Sequence, residues 1–326
     1  MTGTNLSQLR CAVLGAGGFI GTNLCRALDG RVDFLRCFGR RQLFPEALRN
    51  CEWMPGDFAD PTCLSTVVSG CDTVFHLVNA TTPASSNVDK IADLNANVAS
   101  TLRLLDICRE SGVRRVVFVS SGGTIYGIPE IVPTPETAPT NPITAYGISK
   151  LTIEKYLSLH EYLYGLEYRV LRVSNPFGPY QVAQKNQGVI AAFLKKAIAG
   201  KPIEIWGDGS IVRDYIYIDD VVDALVRAAT HAGTGRIFNI GSSRGLSLND
   251  VVTTIESLLG QKVEINHLAG RPADVPVSVL DTTFAKNELG WHAYTTIERG
   301  VENTIAWIKR KEVAGDDAPW NMTGFL

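Results

Sequence analysis

The stretch CAVLGAGGFIGTNLCRALDG, residues 11–30, decides the fold of this chain. Its first five residues form a short apolar run that predicts a β-strand, and residues 19–30 have helical periodicity and end at a glycine. The turn between them has the spacing G-x-x-G-x-x-G, formed by Gly15, Gly18 and Gly21. Glycines there let the backbone approach a pyrophosphate, and the following helix offers free N–H groups at the positive end of its dipole. We therefore predict a dinucleotide-binding turn; the alternative is a plain turn without a ligand.

Strands and helices continue to alternate after this turn. Further strands are predicted at 32–38, 52–58, 71–80, 113–121 and 166–174. Helices are predicted at 61–70 and at about 88–111, and another opens at Tyr146 with Thr144 as its N-cap. Such alternation is typical of a parallel sheet covered by helices on both faces.

The pattern loosens after about residue 175, where short helices and strands follow to about residue 310. We predict an α/β fold with a doubly wound, parallel Rossmann domain over residues 1–174. A smaller α/β domain, mainly for substrate binding, is expected over residues 175–326. A segment at about 213–243 is expected to return to the first domain.

Composition and charge exclude several classes of function. The chain has 326 residues, 45% of them hydrophobic and 20% charged, with a net charge of −2. It lacks the basic excess typical of proteins that bind nucleic acid or anionic membranes. Seven cysteines without a C-x-x-C pair predict reduced thiols, and five histidines show no metal-ligand spacing. Without a signal-peptide pattern or an apolar run of membrane-span length, we expect a cytoplasmic protein that holds no metal.

Tyr146 and Lys150 lie four residues apart in the stretch TAYGISK, residues 144–150. In a helix this spacing brings both side chains to one face. A nearby ammonium and the positive ring of a cofactor would lower the pKa of the phenol, so that a tyrosinate can take a proton from an alcohol while hydride leaves the same carbon. Such a pair usually works with a Ser or Thr hydroxyl, for which the preceding loop SSGGT, residues 120–124, is the place to look.

The ends of the second and third strands are expected to face the adenosine. An acidic side chain usually ends the second strand of a dinucleotide site, but residues 38–41 read FGRR. Arg40 and Arg41 can accept a 2′-phosphate, which raises NADP beside NAD, or they are solvated loop charges. Asp57 and Phe58 can hold the adenine, or they are a helix-capping Asp and a core Phe.

Together these motifs resemble the extended short-chain dehydrogenase/reductase family, in its nucleotide-sugar epimerase branch. The resemblance runs from the glycine turn to about residue 310, and its markers are GAGGFIG, GDFAD, VFHLVNA, NANVASTLRLLD, SSGGTIYG, YGISK, RVSNPFGP and VRDYIYIDD. It implies a Rossmann fold, a bound NAD and a nucleotide-sugar substrate, UDP-linked in many members. It also implies a homodimer formed through the helices near 88–111 and 145–164.

The resemblance assigns roles by position. Tyr146 would be the general base and acid, and Lys150 its electrostatic partner on the nicotinamide ribose. The residues that it places around the cofactor are Gly15, Gly18, Phe19, Ile20, Gly21, Asp57, Phe58, His76, Leu77, Ala80 and Asn97.

A second set would meet the nucleotide sugar: Asn175, Val189, Trp206, Arg213, Arg271, Asp274 and Ser278. Arg213 and Arg271 would clamp the diphosphate, since each can donate several fixed hydrogen bonds. Trp206 would stack on the base, or it packs in the core. Arg213 can instead form a surface ion pair with Asp214 or Asp219.

Within this family resemblance, the loop at residues 120–127 excludes some of the reactions that family members catalyse. Many epimerases of the family carry Ser or Thr at the position of Gly122, so the helper role passes to Ser121, to Thr124 or to water, with Thr124 preferred. Sugar 4,6-dehydratases need an Asp-Glu pair at positions 123 and 124, and UDP-glucuronate decarboxylases place a Glu at Thr124. Neither acid is present. What remains is oxidation at C4 with the hydride returned to either face, as in 4-epimerases of the UDP-glucose or UDP-N-acetylglucosamine type.

Ser278 aligns with the family's gate to the sugar pocket, in RPADVPVSVLD, residues 271–281. A bulky aromatic there would crowd an N-acetyl group at C2. Serine leaves room, so it permits N-acetylhexosamines without requiring them. The plainer alternative makes Ser278 an ordinary strand residue.

Two other functions stay open. Gly39 in place of an acidic residue, with Arg40 beside it, is what an NADPH-dependent reductase of nucleotide 4-ketosugars would show. A non-catalytic dinucleotide-binding protein is the third reading. It is disfavoured because Tyr146 and Lys150 are both present.

Overall fold

A parallel sheet of seven strands forms the centre of the computed structural model, which describes residues 5–42, 48–182, 188–270 and 275–313. The strands of the chain are β1 (Arg10–Leu14), β2 (Phe34–Gly39), β3 (Glu52–Pro55), β4 (Thr73–His76), β5 (Arg115–Ser121), β6 (Glu167–Val173), β7 (Asn175–Phe177), β8 (Ile203–Trp206), β9 (Val212–Tyr217), β10 (Ile237–Ile240), β11 (Gly245–Ser247), β12 (Ile265–Leu268) and β13 (Val277–Ser278). The large sheet has the order β10-β6-β5-β4-β1-β2-β3, with all neighbours parallel. The predicted doubly wound α/β fold is confirmed.

Helices cover both faces of this sheet and pack on the smaller sheets. The helices of the described chain are α1 (Phe19–Leu28), α2 (Pro61–Val68), α3 (Pro83–Ser86), α4 (Lys90–Asp93), α5 (Ser100–Glu110), α6 (Ala145–Tyr164), α7 (Val189–Ile198), α8 (Ile218–Thr230), α9 (Leu248–Leu259), α10 (Thr283–Leu289) and α11 (Ile297–Val313). Helices α1 and α8 pack on one face, and α2, α5 and α6 on the other.

The central position of β1 explains why its residues 11–14 are all apolar. Cys11 and Val13 point into the core beneath α1 and α8, whereas Ala12 and Leu14 point into the core beneath α2, α5 and α6. Successive side chains of a strand face opposite sides, so a strand in the middle of a two-sided sheet must be apolar at every position. All four side chains are fully buried.

The long helix predicted at about 88–111 is present as one uninterrupted helical run over residues 90–110. It consists of α4, one turn of π-helix at Leu94–Ala99, and α5, and α3 precedes it as a separate short helix. The side chain of Asp89 accepts a hydrogen bond from Ala92 N at 2.8 Å and caps the start of this run. The π-turn is the one feature of the segment that the sequence pattern did not predict.

The second half of the chain builds two smaller sheets. One has the order β11-β9-β13 with β7 also paired to β9, and the other joins β8 and β12. Strand β9 runs directly into α8, which packs on the large sheet, and β10 then pairs with β6. Of the segment 213–243, α8 and β10 therefore belong to the large sheet and β9 to a smaller one.

A buried ion pair between Arg172 and Glu154 joins α6 to the sheet. Arg172 Nη2 donates to Glu154 Oε2 at 2.7 Å, and Ser120 Oγ donates to Glu154 Oε1 at 2.6 Å. Arg172 Nη1 also donates to Tyr126 Oη at 2.9 Å, whose hydroxyl donates to Asn239 Oδ1 at 2.7 Å. The network links β6, α6, β5 and β10 to the loop after β5, so it holds that loop against the sheet.

Three further features bear on the class of protein. Within the described ranges, no helix combines the length and the apolar character that a membrane crossing requires. Over the same part of the chain, no group of His, Cys, Asp and Glu side chains is arranged to hold a metal ion. All seven cysteines are free thiols.

Candidate active site

The candidate site lies where the carboxyl ends of the central strands meet. Leu14 at the end of β1 is in register with Phe38 of β2 on one side and with His76 of β4 on the other. The chain leaves β1 towards β2 but returns on the opposite side at β4, which makes this edge a topological switch point. Open α/β sheets bind their ligands at such points.

The glycine turn is closed by its own backbone. Gly15 has φ +90° and its N–H donates to the carbonyl of Phe38 at 2.9 Å. A Cβ on Gly21 would lie 2.1 Å from the carbonyl oxygen of Gly15, and one on Gly17 would lie 2.0 Å from that of Arg41. Only glycine fits these positions.

The first turn of α1 is suited to an anion. Gly18 is its N-cap and gives no side-chain hydrogen bond to the helix, and Phe19 and Ile20 open the helix. Uncapped N–H groups at a helix N-terminus bind phosphate. A dinucleotide pyrophosphate therefore fits this turn.

The end of β2 presents no carboxylate. Arg40 is exposed just beyond Gly39, and Trp53 of β3 lies 3.4 Å from where a Cβ of Gly39 would be. A side chain at position 39 would thus rest on the tryptophan ring. Arg40 and its neighbours are therefore the residues that could distinguish the 2′-phosphate of NADP from the free ribose diol of NAD.

Asp57 and Phe58 follow β3. Asp57 is exposed, and its Oδ1 accepts a hydrogen bond from Ala59 N at 2.9 Å, while Asp60 is the residue that caps α2. The capping alternative for Asp57 is therefore wrong. Phe58 is buried, with its ring 5.0 Å from that of His76, so it belongs to the core while it flanks the site.

The segment after β4 is fixed by Asn97. Its Oδ1 accepts a hydrogen bond from Ala80 N at 2.9 Å. Leu77 donates its N–H to the carbonyl of Leu14 at 3.0 Å, so its backbone lies beside the glycine turn. Leu77, Ala80 and Asn97 are among the residues expected around the cofactor. These hydrogen bonds hold the segment that carries Leu77 and Ala80 between the glycine turn and Asn97.

His76 is buried between the rings of Phe58 and Phe118, and its Nε2 lies 2.9 Å from Thr101 Oγ1. Burial, assisted by the charge of Lys150, lowers its pKa to about 3. The ring is therefore neutral at ordinary pH, and it packs between two aromatic rings beneath the site.

Tyr146 and Lys150 lie in the first turns of α6, which Thr144 caps by accepting a hydrogen bond from Gly147 N at 3.1 Å. The ammonium of Lys150 donates to the carbonyl of Val119 at 2.9 Å and lies 5.7 Å from the centroid of the Tyr146 ring. Both side chains therefore meet at the end of β5, on one helix face as their spacing predicts.

The two catalytic candidates have shifted pKa values. Burial lowers the pKa of Lys150 to about 7, and Glu154 and Asp93 oppose that shift. Burial and then the Asp93 carboxylate raise the pKa of Tyr146 to about 12, and a hydrogen bond with the Ser121 side chain opposes this. The phenol is thus protonated in the chain by itself. The expected tyrosinate needs the added positive charge of a bound nicotinamide.

The loop after β5 distinguishes the two candidate hydroxyls. Ser121 is hydrogen-bonded to Tyr146. Thr124 Oγ1 is buried and has no hydrogen-bond partner among the described residues. Gly122 has no room for a hydroxyl-bearing side chain, because its Cβ would lie 2.4 Å from Leu280 Cδ1.

The described residues expected to meet the nucleotide sugar lie in the second half of the chain, on and between the two smaller sheets. Asn175 Nδ2 donates to the carbonyl of Asp214 at 3.0 Å, and Val189 opens α7 at the surface. Trp206 ends β8 with 39% of its area exposed, so the core-packing alternative is wrong. Arg213 Nη1 donates to the carbonyl of Val275 at 2.6 Å.

Ser278 of β13 is 9% exposed and lies opposite Arg213 in β9. It is therefore a strand residue whose neighbours include the candidate clamp. Arg271 and Asp274 lie outside the described residues.

Asp93 was missed by the sequence reasoning. It is buried at the end of α4, where its Oδ1 accepts hydrogen bonds from Thr81 Oγ1 and Asn97 Nδ2, and its Oδ2 accepts one from Ser149 Oγ. An Asp four residues before Asn97 was the available signal, since that spacing stacks two side chains on a helix.

The fold and this site define a dinucleotide-binding protein with the Tyr-x-x-x-Lys pair of short-chain dehydrogenases/reductases. A family model described as the NAD dependent epimerase/dehydratase family matches residues 11–241, and the chain belongs to that family.

Similar proteins cover nearly the full chain. A UDP-glucose 4-epimerase of Mycolicibacterium smegmatis is 35% identical over 93% of this chain and 99% of its own. A dTDP-4-dehydro-6-deoxyglucose reductase of Escherichia coli is 32% identical over 92% and 97%. The structure of a Thermotoga maritima UDP-glucose 4-epimerase with UDP-glucose superimposes with a TM-score of 0.89 at 33% identity, covering 93% of this chain and 100% of that one.

Proposed function

We propose that the protein is a nucleotide-sugar 4-epimerase that inverts C4 through a transient 4-keto sugar. The observation that carries the proposal is the convergence of Tyr146, Lys150 and Ser121 at the sheet edge, beside a glycine turn that fits a dinucleotide. Epimerase relatives matched over their whole length support the same reading.

Each residue of the pair has a defined task. Bound NAD supplies the oxidising power, taking a hydride from C4 and giving it back. Tyr146 accepts the proton of the C4 hydroxyl as the ketone forms and returns it afterwards. Lys150 stabilises the tyrosinate by its charge, and Ser121 holds the phenol in place by a hydrogen bond.

The substrate class is a UDP-linked hexose. Relatives whose names specify UDP-glucose support it, as does the T. maritima structure, which contains UDP-glucose. The small Ser278 at the expected gate leaves room for an N-acetyl group, so UDP-N-acetylglucosamine is the second substrate to test.

We infer NAD as the cofactor. The family description and a Thermus thermophilus UDP-glucose 4-epimerase solved with NAD, 28% identical with a TM-score of 0.85, support this. Exposed Arg40 beside Gly39 gives NADP a physical basis as the competitor.

A reductase is the second candidate function. The E. coli reductase named above matches nearly as much of the chain as the epimerases do. The absence of an acidic residue at the end of β2 is consistent with a cofactor that arrives as NADPH and leaves as NADP.

We further propose a homodimer in the cytoplasm. Exposed apolar side chains on α4, the π-turn and α6 support the dimer: Ile91, Leu94, Ile148, Leu159 and Leu163. Seven free thiols suit a reducing compartment. Light scattering at micromolar concentration tests the dimer, and a monomeric mass would refute it.

An NMR time course tests the proposed function. Purified protein is incubated with UDP-glucose or UDP-N-acetylglucosamine, without cofactor and with NAD or NADP in separate samples. We expect the C4 epimer to accumulate with no net change in redox state. Tyr146→Phe should lower the rate at least about 100-fold, whereas Tyr162→Phe, an exposed tyrosine on the same helix, should leave it unchanged.

Reduction of a nucleotide 4-keto sugar by NADPH, with no epimer formed from either UDP-sugar, would favour the reductase instead.

A further inference from the structure

We propose that Asp93 is a positioning residue of the active site, whose buried carboxylate joins the catalytic helix to the cofactor-facing segment and holds a negative charge beside Tyr146 and Lys150. This role in acid–base chemistry rests on the proposed function. Asp93 is not part of the Tyr-x-x-x-Lys motif.

The side chain of Asp93 is buried, and both of its carboxyl oxygens accept hydrogen bonds. The residue is 1% exposed, and three neutral donors reach it from three separate elements: Thr81, Asn97 and Ser149. No Lys or Arg within the described ranges forms an ion pair with it. Several hydrogen bonds to the charged form are what allow a carboxylate to stay ionised away from water.

Two of these bonds act on the reacting parts of the site. Ser149 Oγ donates to Asp93 Oδ2 at 2.5 Å, and Ser149 lies on α6 between Tyr146 and Lys150. Asn97 Nδ2 donates to Asp93 Oδ1 at 3.0 Å while its own Oδ1 receives the N–H of Ala80. One carboxylate therefore sets the distance between the catalytic helix and the segment expected to line the nicotinamide.

A π-turn lies at this cluster. It begins directly after Asp93 and includes Asn97, whose Nδ2 also donates to the backbone carbonyl of Asp93 at 3.1 Å. A π-turn holds one more residue than an α-turn, and such turns are frequent at functional sites. Asp93 and Asn97, four residues apart, share one hydrogen-bond cluster at its start.

The charged and titratable groups around Tyr146 and Lys150 show in which direction Asp93 shifts the pKa of each. Tyr146 faces Ser121 from β5, Asp93 from α4 and Lys150 from its own helix. Lys150 faces Glu154 on its own helix, Asp93, and the neutral ring of His76 from β4. Among these groups Asp93 is the carboxylate that acts on both members of the pair. Its charge favours the protonated phenol and the charged ammonium alike.

Removing that charge should move both titrations towards lower pH. Asp93→Asn keeps an acceptor for Thr81 and Asn97, and its amide can donate to Ser149 Oγ, so the shape of the cluster is retained. With NAD bound, we expect the midpoint of Tyr146 ionisation to fall by about one pH unit. A purely structural role would change stability or rate without moving the midpoint.

The measurement is an ultraviolet difference titration of tyrosinate in NAD-loaded protein, in which the Tyr146→Phe spectrum is subtracted from that of the parent. It is repeated with Asp93→Asn in both backgrounds. Asp89→Asn, the same change at an exposed position one turn earlier, is the matched control. If Asp93→Asn does not fold by circular dichroism, Asp93→Ser replaces it.

A lower midpoint in the Asp93 variant alone supports the proposal. An unchanged midpoint, or an equal shift in the Asp89 variant, overturns it. The titration does not depend on turnover, so it decides the role of Asp93 even if no sugar is epimerised. In an active enzyme the rising limb of the kcat/KM pH profile should move by the same amount.

Discussion

Gly122 occupies the position where the family resemblance leads us to expect a catalytic hydroxyl, and the packing around it should disfavour its replacement by serine. A Cβ at this position would lie 2.4 Å from Leu280 Cδ1 and 3.0 Å from the backbone carbonyl of Arg172. Leu280 is 2% exposed, and its N–H donates to Asp214 Oδ2 at 3.2 Å. The end of the leucine side chain can rotate, but the carbonyl of Arg172 belongs to β6 and cannot withdraw.

The expected magnitude follows from this overlap. Inserting atoms into a packed core costs about 1–3 kcal/mol. For a chain of 326 residues that lowers the melting temperature by roughly 1.5–4.5 °C. Leu280→Ala alone should cost about 2–5 kcal/mol, because it leaves a cavity. The double variant should lose less free energy of unfolding than the two single variants together, since the serine side chain fills part of the space that Leu280 vacates.

Thermal unfolding followed by circular dichroism measures these effects. Gly123→Ser is the matched control, because a Cβ on Gly123 would have no atom within 4 Å. Equal melting temperatures for the Gly122 and Gly123 variants, or additive costs in the double variant, would show that Leu280 does not exclude a side chain from position 122.

Three further outcomes are expected. Ser121→Ala should lower kcat by about 10-fold with little change in KM, because it removes a hydrogen bond to Tyr146; steady-state kinetics would contradict this if only KM changed. Gly21→Ala should abolish NAD binding in calorimetry, because the new Cβ would lie 2.1 Å from the carbonyl of Gly15; unchanged affinity would refute the assignment of the turn. Stability should fall as pH falls from 6.5 towards about 3, by about 1 kcal/mol per unit, because unfolded His76 binds a proton that the folded ring does not. In urea unfolding at several pH values, the free energy of unfolding of His76→Gln should depend less steeply on pH than that of the parent protein. An equal pH dependence would exclude His76 as the cause.

Much of the site could be predicted because its signals are local. The run from β1 through the glycine turn to α1 depends on residues that are neighbours in the chain. The placement of Tyr146 and Lys150 on one face needs only the helical period and the Thr144 cap, which is present. Helix boundaries and caps are short-range properties, so these elements follow from the residue order alone.

The helix predicted at 88–111 shows how far such local signals reach. Its apolar pattern predicts one helix, and the helix runs from the Asp89 cap to Glu110 with a π-turn at Leu94–Ala99. Within it, Asp93 and Asn97 find partners on α6 and after β4 that the pattern cannot reveal.

The sequence by itself determined the class of fold, the dinucleotide turn and the Tyr–Lys pair. Only the tertiary structure shows that Ser121 interacts with Tyr146, and that Leu280, distant in the chain, lies against position 122. It also brought Asp93 beside the pair and set the direction in which both pKa values move. The reason is physical: turns and helix faces are set by adjacent residues, whereas steric exclusion and buried charge depend on atoms that only folding brings together.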